Sequence, residues 1–141
     1  MNKILIIQAT FYKDISSLLL EGAIAKILQN KYQYDVIEVS GALEIPSAIS
    51  IAQYSNIYSG YVALGCVIRG ETSHYEIVCN QSARGIMDLS IQKNLAIGNG
   101  ILTVENHEQA IKRADMKMLD KGGFAVEACL NIINIKNKYN L

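Results

Sequence analysis

A single proline, no tryptophan and no closely spaced pair of cysteines set the first limits on this 141-residue chain. Proline occurs only at position 46, so a proline-rich linker is excluded and no other segment carries the residue that most strongly interrupts a helix or strand. Cys66, Cys79 and Cys129 are odd in number, widely separated and without a C-x-x-C pair, which removes the basis for a disulfide framework, a cysteine zinc site or a thioredoxin-type centre. They are read as buried thiols. Neither sign of charge prevails: thirteen Lys and Arg balance thirteen Asp and Glu, without the electrostatic footprint of a nucleic-acid or polyanion binder. Long apolar runs are missing too. The opening MNKILIIQATFY holds four consecutive aliphatic residues, too few for a signal-peptide core or a membrane span, so a cytoplasmic protein without membrane attachment is expected.

What is present points to one α/β domain over residues 1–141. Half of the chain is hydrophobic, which is rich for so small a domain and suggests apolar surface buried between subunits. Runs rich in Ile and Val at 3–8, 35–39, 60–66 and 96–104 have the composition of strands buried on both faces. Each precedes a helical segment. Asp14 is placed to cap a helix carrying Leu20, Ile24, Ile27 and Leu28, and Pro46 suits the first turn of a short helix. Ser73-His74-Tyr75-Glu76 has the pattern of a capping box, residues 106–109 repeat a similar start, and a last helix spans about 123–136. The order β-α-β-α-β-α-β-α-α implies a three-layer α/β/α sandwich, flavodoxin-like, with a four-stranded parallel sheet and helices on both faces. Ligands bind such sheets beyond the carboxyl ends of the strands, where four loops should meet.

The unusual residues lie in those loops. Gly65-x-x-x-x-Gly70-Glu71-Thr72 has the glycine spacing of a nucleotide-binding loop, but Glu71 stands where that loop needs a lysine. The helix that follows still offers unpaired N–H groups and the positive end of its dipole to a single phosphate, with Thr72 and Ser73 adding hydroxyls. His74 falls in the first turn beside that place, where a bound dianion would favour the imidazolium that proton transfer requires. His107, in a polar helix start without such surroundings, serves as the contrast. Glu44 lies in GALEIP, where a carboxylate can accept hydrogen bonds from a polyol while the backbone at Gly41, Ala42 and Leu43 reads ring amides. Phe11 offers a flat face to a heteroaromatic ring. Arg113, among Lys112 and Lys117, reads by itself as part of a solvated helix face.

TFYKDI, SGALEIP, LGCVIRGETSHYE, GNGILTVEN and QAIKRA with the later KGG resemble, in order and approximate spacing over almost the whole chain, the motifs of lumazine synthases. That resemblance implies the condensation of 5-amino-6-(D-ribitylamino)uracil with 3,4-dihydroxy-2-butanone 4-phosphate, with no metal or other cofactor. It implies Phe11 stacked on the pyrimidine, Ala42, Leu43 and Glu44 on the ribityl chain, and Cys66, Val67 and Ile68 on the ring, with Asn99 joining through its backbone. Glu71 and Thr72, with Arg113 and Lys121, would hold the phosphate, and His74 would be the proton donor. It further implies a homo-oligomer built from pentamers with sites shared between subunits, and riboflavin synthase as a candidate partner. Thr10 and Tyr12 depart from the Arg and Asn of many members, Leu43 from an aromatic, and Asn99 from a Phe found in some. Two other readings stay open at this point: a flavodoxin-like module that binds a phosphorylated ligand without turnover, and a shell-forming scaffold that has lost catalysis.

Overall fold

The computed structural model describes residues 2–141. Four strands, β1 (Lys3–Ala9), β2 (Gln33–Val39), β3 (Gly60–Ile68) and β4 (Ile97–Val104), form one all-parallel sheet in the order β2-β1-β3-β4. The helices are α1 (Lys13–Gln29), α2 (Ile45–Ala52), α3 (His74–Gln92), α4 (His107–Ala114) and α5 (Lys121–Lys138). Short 3-10 turns at Ala42–Glu44 and Gln53–Ser55 flank α2.

Alternation along β1 explains the three layers. Ile4 and Ile6 face one side, where they join Ile15, Leu19 and Ile27 of α1, Ala110 and Ala114 of α4, and Val126, Cys129 and Ile133 of α5. Leu5, Ile7 and Ala9 face the other, against Ile45 and Ile49 of α2 and Ile86 of α3. Because β1 and β3 are covered on both faces their buried stretches are mainly apolar, with Gln8 the buried polar exception on β1, and each fully buried Ile or Leu contributes roughly 1.5–3 kcal/mol. β2 and β4 do not share that burial. β2 is an edge strand with no fully buried position, and β4 exposes Asn99 and Thr103. The expectation of strands buried on both faces thus holds for the central pair alone.

Glycine lets the last helix approach. A Cβ on Gly98 of β4 would stand 1.7 Å from the Ala125 carbonyl oxygen, and one on Gly122 would stand 2.2 Å from that of Leu19. α5 therefore lies directly on β4 and α1, beginning two residues earlier than its sequence pattern indicated. Asp120 caps it, accepting from the Gly123 N–H at 3.2 Å.

Three local expectations change. Asp14 is not a cap: α1 starts at Lys13 after Tyr12, and Asp14 in the first turn instead meets His107 Nε2 at 2.5 Å. His107 is therefore tied to α1 rather than isolated, and this contact holds the Asp14 carboxyl below its ordinary range. Ser73 makes no side-chain cap bond, and the Glu76 carboxylate, the other half of the supposed box, is taken by Arg69. Of the three free cysteines only Cys129 is buried; Cys66 and Cys79 are half-buried. Asn106 does cap α4 as its pattern suggested, accepting from the Gln109 N–H at 2.9 Å.

Candidate active site

From β1 the chain crosses to β2 on one side and then returns to β3 on the other, so the carboxyl ends of β1 and β3 diverge at a topological switch point. A cavity of about 490 Å³ opens there, within the range of small-ligand sites. The loop after β1 supplies Phe11 and Tyr12, the turn after β2 supplies residues 40–44, and the end of β3 supplies Cys66, Val67 and Ile68. Gly70, Thr72, His74, Tyr75 and Val78 close the rim from the loop after β3 and the start of α3.

Each wall has a distinct chemistry. Phe11 is 73% exposed at the mouth, its ring held edge-on to Tyr12 with centroids 4.9 Å apart, an arrangement that leaves an apolar aromatic surface open to a flat ligand. Within the 3-10 turn Ala42 is buried, whereas Leu43 is 39% exposed. Ser40 Oγ donates to Glu44 Oε1 at 3.0 Å, which fixes that carboxylate and leaves lone pairs to accept from hydroxyl groups. Half-burial pushes the Cys66 thiol up to about 12, with Asp14 adding to the rise, so it lines the pocket as a neutral, apolar group. At the rim the His74 backbone N–H donates to Thr72 Oγ1 at 3.3 Å. Glu71 stands in the exposed turn between Gly70 and Thr72 and does not line the cavity.

Asn99, Arg113 and Lys121 lie elsewhere. They line a second recess of about 320 Å³ with Thr103 of β4 and Phe124 and Ala128 of α5. Three of the four expected loops therefore meet, and the residues of β4, α4 and α5 form a separate wall on the outer edge of the sheet. Arg113 Nη1 donates to the Gln109 carbonyl at 3.2 Å, and among the described residues it has no carboxylate partner. Lys121 extends over the Phe124 ring at 5.6 Å. Asn99 is occupied locally, its Oδ1 accepting from the Ile101 N–H at 2.9 Å.

Sequence reasoning did not single out Arg69. Its Nε donates to both carboxylate oxygens of Glu105, at 3.0 and 3.1 Å, its Nη1 meets Glu76, and its guanidinium lies 4.3 Å from the Tyr75 ring centroid. Glu76 and Glu105 hold that guanidinium firmly protonated, and Arg69 in turn lowers the Glu76 carboxyl. The separations of seven and 36 residues match no local pairing rule, so only the folded chain reveals the cluster.

A parallel flavodoxin-like sheet with an apolar, ring-sized cavity at its switch point and a helix start on its rim is the framework of a small-molecule enzyme. The chain belongs to the 6,7-dimethyl-8-ribityllumazine synthase family, whose model matches residues 1–137. It is similar to the 6,7-dimethyl-8-ribityllumazine synthase of Bartonella tribocorum, at 56% identity over 96% of this chain and 91% of that relative. The Novosphingobium aromaticivorans enzyme of the same name is 51% identical, over 99% of this chain and all of its own length. That of Agrobacterium fabrum is 51% identical over 96% and 95% of the two chains.

Proposed function

We propose that the chain condenses 5-amino-6-(D-ribitylamino)uracil with 3,4-dihydroxy-2-butanone 4-phosphate to give 6,7-dimethyl-8-ribityllumazine. The observation that carries this reading is the cavity itself, which gathers an exposed aromatic face, a fixed carboxylate and a helix start bearing Thr72 and His74. The pyrimidine stacks on Phe11 against Cys66, Val67 and Ile68, and its ribityl hydroxyls reach Glu44 and the backbone of Ala42 and Leu43. The 5-amino group attacks the butanone carbonyl and forms an imine with loss of water. Loss of phosphate through an enol and closure by the ribityl-bearing nitrogen, with loss of a second water, complete the ring. His74 carries the proton required when the carbonyl oxygen leaves. Holding two substrates together supplies most of the acceleration, and the imidazole adds about 10²-fold.

Phosphate is assigned to the start of α3 at Glu71 and Thr72, with Arg113 and Lys121 supplying positive charge. Within one chain those cations occupy the other recess, so we assign them to the site of a neighbouring copy: each subunit gives one wall to each of two sites, in a ring of five that closes heterologously. Exposed Ile51 of α2 and Tyr54 in the turn after it, Met87 and Ile91 on α3, and Met118 and Phe124 near the second recess supply apolar surface for such contacts. No described helix is long and apolar enough to cross a membrane, and we place the enzyme in the cytoplasm. Mixing the purified protein with both substrates and following lumazine fluorescence tests the reading. Formation of the fluorescent product supports it, and binding of both substrates without turnover would leave a ligand-binding module or an inactive scaffold.

A further inference from the structure

The turn that carries Thr72 and leads into His74 is weakly built in every respect but one. Residues 70–73 are all exposed, no side chain caps α3, and the bond from the His74 N–H to Thr72 Oγ1 spans only two residues. Both ends of the turn are nevertheless anchored through Arg69. Its own N–H donates to the Val104 carbonyl at 2.9 Å, its Nε takes the Glu105 carboxylate in a two-oxygen grip, and its Nη1 holds Glu76 in the first turn of α3. Its plane also covers Tyr75, a residue of the cavity rim. Glu105 in turn sits at the start of α4, where its N–H donates to Gln109 Oε1 at 2.8 Å.

Exposed ion pairs contribute little to global stability, and the side chains of this cluster are 42–55% exposed. Two carboxylates on one guanidinium also leave it poorly suited to bind a phosphate. What the cluster does provide is geometry, since a planar fork held on three sides fixes the direction in which α3 begins. We propose that Arg69 is a positioning residue: with Glu76 and Glu105 as anchors, it sets the 70–73 turn and the imidazole of His74 against the reacting centre without touching substrate. The inference rests on the functional reading given above.

Steady-state kinetics of wild type, Arg69→Met, Arg69→Lys and Glu105→Gln test it, together with titration of a non-reactive pyrimidine analogue and of inorganic phosphate. Arg69→Met should lower kcat/KM for the butanone phosphate by about 10- to 100-fold, divided between kcat and KM, while analogue affinity changes by less than about threefold. Arg69→Lys should recover part of the loss, because an ammonium can meet one carboxylate but cannot reproduce the fork. Glu105→Gln, which loosens the anchor without removing the guanidinium, should act in the same direction by about 3- to 10-fold and weaken inorganic phosphate inhibition. Tighter phosphate binding in Glu105→Gln would overturn the proposal, since it would mean that the released guanidinium is itself a phosphate ligand. Wild-type kinetics in Arg69→Met, or an analogue affinity falling as far as turnover, would overturn it as well. Should Arg69→Met fail to fold, the Lys and Gln variants decide the question by the same outcomes. An inactive wild type would defeat the functional reading, whereas an active wild type with unaltered variants would defeat only this inference.

Discussion

The two recesses, one at the carboxyl ends of β1 and β3 and one along the outer edge of β4, differ in kind, and the difference is most concentrated in their arginines. The larger recess is lined by Phe11, Leu43, Val67 and Ile68, and Arg69, next in the chain, is paired with both Glu76 and Glu105. The smaller is framed by Arg113 and Lys121, and Arg113 has only a backbone carbonyl for a partner among the described residues. One recess thus suits a neutral ring and a polyol but has its nearby cation neutralised; the other sets Arg113 and Lys121, without carboxylate partners among the described residues, beside Phe124 and Ala128. Neither alone matches a pyrimidine together with a phosphorylated ketone, and together they do.

Four substitutions sharpen that contrast, beginning with the largest effect. His74→Ala should lower kcat by about 10²-fold, near 2.7 kcal/mol of barrier, with little change in binding of a pyrimidine analogue. Parallel loss of analogue affinity in a calorimetric titration would move His74 from proton transfer to binding. Arg113→Ala should raise KM for the butanone phosphate by about 10- to 50-fold at nearly constant kcat, the expected loss of one charge-assisted contact made equally before and in the transition state. Inorganic phosphate should then cease to inhibit; retention of both parameters would return Arg113 to a solvated helix face.

Phe11→Ala should weaken the pyrimidine analogue by about tenfold, through lost stacking area, and leave phosphate inhibition as it was. If phosphate affinity changed equally, the two walls would not be separable. The smallest effect belongs to Cys66. Because burial raises its thiol to about 12, it stays protonated through neutral pH and the thiolate emerges only as the pH approaches that value. Cys66→Ser should keep kcat within about threefold, and alkylation at pH 8 should be much slower than that of a free thiol of ordinary pKa near 8.5. Rapid modification would contradict the neutral apolar wall described here.

The order of strands and helices was legible because periodicity and composition act locally: the Ile and Val runs mark all four strands, and Pro46 and Asn106 mark helix starts. The aliphatic composition of β2 did not disclose that it lies at the edge, since that depends on which strand the chain pairs next. The resemblance to a known family named candidate residues at both recesses, but spacing could not tell that they lie apart. Arg113 and Lys121 stand on α4 and α5, which pack with α1 on one face of the sheet, whereas α2 and α3 cover the other. Arg69 escaped notice because its partners are assembled by the fold, and the same assembly undid the capping box expected at Ser73.

The account depends on the two recesses belonging to one site contributed by two copies. Co-refolding equal amounts of His74→Ala and Arg113→Ala protein measures this directly, because each variant keeps the wall that the other has lost. Subunit mixing is to be verified by mass spectrometry of tagged chains. If sites are shared around a ring, random assembly restores both walls in about a quarter of them, and at butanone phosphate well below the wild-type KM, where each variant alone is slow, lumazine formation should reach about a quarter of the wild-type rate. Activity no higher than the mean of the two separate variants, with mixing demonstrated, would contradict the shared site.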